Sequence, residues 1–199
     1  MTAAPLGPLL VLTDRRQCPH PLPEVVGAAV DGGARAVVLR ERDLPAAGRA
    51  ALAEQLRALL APVGGVLVVA GADLPGEAVH LAQRDAVPRP RPALLGRSCH
   101  DAGEVARATD EGCDWVTVSP VRLTASKPGH GPALGTAGLA ALVGGPPAYA
   151  LGGLSADDAE PCLRAGAAGV AVMGAVMRAS RPDEVVAALL SRLSAGTAP

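Results

Sequence analysis

The chain has 199 residues, enough for one domain with a full core. Aromatic residues make up 1% of it and Phe is absent, so no aromatic platform exists on which single-stranded nucleic acid could stack. A net charge of −1 and a pI near 6.4 offer no basic face to nucleic acid or to an acidic membrane.

Apolar residues still reach 49%, so the core has to be packed from Ala, Val and Leu. Cys18, Cys99, Cys113 and Cys162 are widely spaced with no C-x-x-C, which speaks for reduced thiols rather than a disulfide framework or a zinc site. The first residues, MTAAPLGPLLVLTD, lack a basic n-region, and their apolar run is too short for a signal or membrane helix. The expectation is a cytoplasmic protein without a membrane partner.

Short apolar runs alternate with alanine-rich amphipathic segments. Leu9–Thr13 reads as a strand and Pro23–Asp31 as a helix; Ala36–Arg40 and Pro45–Leu60 repeat the pair. Strands Val66–Val69 and Ala78–Leu81 follow, with too few residues between them for a full helix. The proline-rich run Val87–Pro92 replaces the next helix before strand Ala93–Arg97. Regular alternation then resumes: helix Ala102–Glu111, strand Trp115–Ser119, helix Thr136–Val143, strand Ala148–Leu151, helix Ser155–Ala165, strand Gly169–Met173 and helix Pro182–Leu193.

Several of these strands are apolar on both faces, as parallel strands covered by helices must be. Asp101 and Ser155 stand at N-cap positions, Ser155 with Asp158 forms a capping box, and helices close at Gly32, Gly112 and Gly166. The segments DGGARAVVL, EGCDWVTV and AGAAGVAV repeat one unit, a helix end followed by glycine and a buried strand. The pattern predicts an α/β fold: a compact single-domain (β/α)8 TIM barrel over residues 1–199, with shortened third and fourth helices and a frayed tail from about 194. A doubly wound open sheet is the alternative, but no G-x-G-x-x-G follows the first strand.

Barrel enzymes work at the C-terminal ends of their strands. Gly152 and Gly153 after strand 7 and Gly174 after strand 8 would let backbone N–H groups approach a phosphate; ordinary strand-to-helix turns would use the same glycines. Thr124, Ser126 and Lys127 after strand 6 could add two hydroxyls and an ammonium, or form a solvated loop. Arg40 and Arg42 alternate with Glu41, so both share one face, either as an inward anion clamp or as a surface ion-pair cluster. His80, His100 and His130 are the candidate bases near neutral pH, and Asp14 and Asp85 are lone carboxylates at strand ends.

The segments LRERD (39–43), GRSCHDAGEVARATDEGCDWVTVSPV (96–121), TASKPG (124–129) and ALGGLSADD (150–158) resemble the family of thiamine phosphate synthase and its relative TenI, the thiazole tautomerase. The resemblance runs from VLTD (11–14) to AGAAGVAVMGAVM (165–177) and implies the same barrel. It implies a small phosphorylated thiazole as substrate and leaves a homo-oligomer open. The synthase joins a pyrimidine pyrophosphate to a thiazole phosphate with Mg2+ and releases pyrophosphate. By resemblance Ser98 matches its strand-5 serine, Thr124, Ser126, Lys127, Gly152 and Gly153 match its thiazole-phosphate side, Gly174 replaces a serine there, and Asp85 retains a metal carboxylate.

Other positions depart from the synthase pattern. Its strand-2 glutamine is Val38 here, its lysine is Arg42, and its Asn-Asp after strand 3 is Ala70-Gly71, with Asp73 displaced. These departures resemble TenI, which needs no metal and shares Arg-Glu-Arg and GRS-x-H; its histidine after strand 6 is Ser119 here. The sequence therefore puts tautomerisation of a thiazole carboxylate phosphate first, with His130 or His100 moving the proton, Arg40 with Arg42 or Lys127 holding a carboxylate or second anion, and no metal. Synthase activity with Mg2+ at Asp85 is the alternative, and a non-catalytic thiazole or thiamine phosphate binder is the third reading.

Overall fold

The computed structural model describes residues 5–74, 76–123 and 132–196. Eight parallel strands close into a barrel in sequence order: β1 (Leu9–Leu12), β2 (Ala36–Leu39), β3 (Val66–Ala70), β4 (Ala78–Leu81), β5 (Leu94–Cys99), β6 (Trp115–Val118), β7 (Ala148–Leu151) and β8 (Gly169–Val172). Closure comes from the pairing of β1 with β8, at Leu9 with Val170 and Val11 with Val172. Strand parity divides the core in two. Leu10, Leu12, Val38, Val68 and Ala171 point into the barrel, while Leu9, Val11, Val37, Leu39 and Val172 pack under the surrounding helices.

With no Phe, the single Trp and the single Tyr fill the barrel interior, and both are fully buried. Gly96 on β5 makes room for Trp115, whose indole occupies the space a Cβ at 96 would need. The Tyr149 hydroxyl donates to the Gly7 carbonyl at 2.8 Å and accepts from the Leu6 amide at 3.3 Å, tying the N-terminal segment across the barrel.

The outer layer is α1 (Leu22–Asp31), α2 (Ala46–Leu60), α3 (Ala102–Asp110), α4 (Gly135–Leu142), α5 (Ala159–Arg164), the single turn α6 (Gly174–Met177) and α7 (Pro182–Ala195). The expected third and fourth helices are not merely shortened: among the described residues, neither β3–β4 nor β4–β5 carries one. Buried arginines stand in for them. From α2, the Arg49 guanidinium donates to the Ala70 carbonyl and to Asp73 Oδ2 at 2.7 Å. From β5, Arg97 Nη1 donates to the carbonyls of Ala82, Gln83 and Asp85 at 2.9–3.0 Å. Carbonyls that a helix would have satisfied internally are satisfied by guanidinium instead.

Asp101 caps α3 by accepting from the Glu104 amide at 2.9 Å. The Ser155–Asp158 capping box is present but starts a 3-10 turn at Ala156–Asp158, so the expected helix 155–165 is a short turn followed by α5. After α1 the positive φ of 108° falls on Gly33; Gly32 stays right-handed.

Candidate functional site

A cavity of about 660 Å3 opens at the C-terminal ends of the strands, within the usual range for small-molecule sites. Asp14, Arg40, Arg42, His80, Gln83, Ser98, His100, Ser119, Gly152, Gly153, Gly174 and Arg178 reach it from seven strand ends and the turn α6. The structure thus gathers Arg40, Arg42, Ser98, His100, Gly152, Gly153 and Gly174 in one place. Thr124, Ser126, Lys127 and His130 lie outside the described residues.

Alternation continues past the end of β2. Arg40 and Arg42 face the cavity, while Glu41 is buried and accepts from the backbone N–H of Arg15 at 3.1 Å and from its guanidinium at 3.0 Å. Arg15 and Arg16 also hold Asp43, whose pKa the guanidinium hydrogen bonds draw down to about 2. The ion-pair cluster and the cavity arginines are therefore both real, on opposite faces of one segment. The Arg40 amide donates to Thr13 Oγ1 at 3.0 Å, and its guanidinium lies against the Met173 sulfur.

His100, just beyond β5, is held by one carboxylate oxygen. Glu104 Oε2 accepts from the His100 backbone N–H at 2.7 Å and lies 2.8 Å from the ring Nδ1. The other oxygen, Oε1, accepts from the Gln83 side-chain amide. A carboxylate on Nδ1 selects the tautomer with the proton there and leaves Nε2 as the nitrogen free to exchange protons. Sequence reading passed over Glu104, although it sits four residues after His100, one helical turn on.

His80 is buried and a weak base. It stacks on Trp115, and its Nε2 lies 3.2 Å from Thr117 Oγ1. Burial, with the nearby Arg40 and Arg97 charges, lowers its pKa to about 4, so the ring is neutral near pH 7.

The glycines after β7 have a requirement of their own. Gly152 and Gly153 have φ of 109° and 63°, and a Cβ on Gly153 would collide with the Leu123 carbonyl. The backbone after β6 lies directly against them, so the fold needs these glycines whatever binds. A Cβ on Gly174 would meet the Arg178 guanidinium. Arg178, four residues after Gly174, is a cavity cation that sequence reading missed, and it also bonds the Gln17 side chain.

Magnesium is usually held through one or two carboxylates together with substrate phosphates and water, so Asp85 and Asp73 would have to be free to ligate. Asp85 Oδ2 instead accepts from the Ala82 N–H at 3.0 Å and from Arg42 Nη1 at 3.2 Å, and Asp73 is held by Arg49. Among the described residues no three His, Cys, Asp or Glu side chains gather to hold a metal. The residues present do not fit the ion.

Comparison with known proteins places these features in a family. The family model described as thiamine monophosphate synthase matches residues 9–176. A protein of Xanthobacter autotrophicus named thiamine-phosphate synthase is 37% identical over 197 residues, covering 90% of this chain and 92% of the relative. One of Roseiflexus sp. with the same name is 34% identical over 198 residues, covering 92% and 84%. The solved structure of thiamine phosphate pyrophosphorylase from Pyrococcus furiosus superposes with a TM-score of 0.84 at 26% identity, covering 97% of this chain and 98% of that one.

Proposed function

This chain belongs to the thiamine monophosphate synthase family, and from that premise we propose that it couples a thiazole phosphate to a pyrimidine pyrophosphate and releases pyrophosphate. The names of its relatives favour this coupling over the tautomerisation that the sequence puts first. The observation that carries the reading is the supply of cavity guanidinium groups from both sides of β1: Arg40 and Arg42 after β2, and Arg178 after β8. Two anionic substrates need two such positions.

In this account the backbone around Gly152, Gly153 and Gly174, with Arg178, holds the thiazole phosphate, and resemblance adds Thr124, Ser126 and Lys127. Arg40 and Arg42 hold the pyrophosphate. The bond between the pyrimidine methylene carbon and the pyrophosphate oxygen breaks, and its electron pair leaves on that oxygen. The arginines neutralise the charge that develops there. The thiazole ring nitrogen donates its lone pair to the methylene carbon, and the new C–N bond completes the product. Ser98 and Gln83 line the wall of the same cavity.

The second reading, aromatisation of a thiazole carboxylate phosphate, is favoured by the Glu104–His100 pair, which leaves an imidazole nitrogen free beside the cavity. Arg40 and Arg42 would then hold the carboxylate. Incubation with the pyrimidine pyrophosphate and the thiazole phosphate, and separately with the thiazole carboxylate phosphate alone, decides between the two. Coupling predicts thiamine phosphate from the first mixture. Turnover in the second mixture only would favour tautomerisation, and binding without turnover in either would return the chain to a binding role.

A further inference from the structure

The carboxylates that would hold a divalent cation are already neutralised. Asp85 faces Arg42, with the guanidinium 3.2 Å from Oδ2, and Asp73 faces Arg49 at 2.7 Å. Asp73 and Arg42 stand together over Gly71, where a Cβ would lie 2.7 Å from the Asp73 carboxylate and 3.3 Å from the Arg42 guanidinium. Two carboxylates contribute a charge of −2 and two guanidinium groups +2, the charge one magnesium ion would bring. Arg49 and Arg42 both stand against the Asp73 carboxylate, so its charge is matched. Arg49 is fully buried, anchored on the Ala70 carbonyl, and cannot swing away without leaving a buried carbonyl unpaired. Arg40 adds a further positive charge, and among the described residues no ion pair involves it.

We propose that the end of the cavity lined by Arg40 and Arg42, with Asp85 and Asp73 behind Arg42, is a metal-independent polyanion site, in which Arg42 and Arg49 supply the charge that a divalent cation would otherwise supply. The inference rests on the coupling reading for the identity of the anion, a pyrophosphate group. An incoming pyrophosphate meets guanidinium N–H donors directly, with Arg42 bridging it to Asp85. A cation would have to displace Arg42 before Asp85 became a ligand, and the buried Arg49 before Asp73 did.

The test uses inorganic pyrophosphate and Mn2+ on the intact chain. Calorimetry in excess chelator should show pyrophosphate binding to the unaltered protein, weakened at least about tenfold by Arg42→Gln and by Arg40→Gln. Mn2+ titration followed by electron paramagnetic resonance should show no tight site in the unaltered protein. A site should appear in Arg42→Gln and vanish when Asp85→Asn is added. Circular dichroism confirms that each variant is folded; Arg42 is half exposed, so its loss spares the core. Pyrophosphate binding that needs a divalent cation, or Mn2+ binding by the unaltered protein as tight as by Arg42→Gln, overturns the proposal. Cation-free pyrophosphate binding without coupling would sink the coupling reading and leave this site standing; cation-dependent binding with efficient coupling would do the reverse.

Discussion

Glu104 holds His100 at two points with a single carboxylate oxygen, 2.7 Å from the backbone nitrogen and 2.8 Å from Nδ1. The contact caps the start of α3 and also fixes the tautomer of the one described histidine that is both half exposed and in the cavity wall. If His100 moves a proton, Glu104→Gln should cut the rate about 10- to 100-fold, the usual cost of losing a partner that orients an imidazole. Nitrogen-15 spectra of the histidine rings should show the Nδ1–H form dominant in the unaltered protein and a mixture in the variant. An unchanged mixture would reduce the contact to helix capping.

His80 makes stability depend on acid. Its folded pKa, lowered to about 4 by burial and by the Arg40 and Arg97 charges, lies below the unfolded value of 6.5. The unfolded chain therefore binds more protons between those values, and stability falls as pH drops from about 6.5 towards 4. The full effect is about 3 kcal/mol by the usual conversion. Denaturant unfolding across this range should show that slope, and His80→Gln should flatten it. Equal slopes in both proteins would show that the acid sensitivity arises elsewhere.

Arg97 organises the loop that carries Gln83 and Asp85. It is buried and serves three carbonyls, and Glu111 Oε2 lies 2.6 Å from its Nη2 as a charge contact without hydrogen-bond geometry. Arg97→Met should cost about 3–5 kcal/mol, because the carbonyls and Glu111 lose their partner. Urea midpoints with an unchanged slope would measure it; a loss below about 1 kcal/mol would mean that water replaces the guanidinium.

Gly153→Ala separates fold from ligand. The positive φ and the Leu123 carbonyl predict a loss of at least about 1 kcal/mol with no ligand present. Thermal unfolding of the free protein reads it, and an unchanged midpoint would assign the glycine to ligand contact alone.

The eight strands were legible from sequence because each is a short apolar-rich run and several are apolar on both faces, as strands of a helix-covered parallel sheet must be. Boundaries slipped by a residue or two where Thr13, Arg40 and Met173 prolong the run past the last strand residue. The missing third and fourth helices were half legible. Proline and short spacing ruled out full helices, but nothing in the sequence showed that Arg49 and Arg97 would take over their hydrogen bonds. In the site, the alternation of Arg40, Glu41 and Arg42 carried enough phase to place both arginines on one face. The pairing of Asp85 with Arg42 was not readable, since it joins residues 43 apart across the end of β3. For Glu104 and Arg178 the signal in the sequence is their four-residue spacing from His100 and Gly174.

The most direct test of the coupling account is to follow thiamine phosphate and pyrophosphate together during turnover of the purified protein with both substrates. The account predicts the two products in equal amounts from the first minutes, with the rate falling at least about tenfold in Arg40→Gln. Pyrophosphate released without thiamine phosphate, or neither product from a folded protein that binds both substrates, would contradict it.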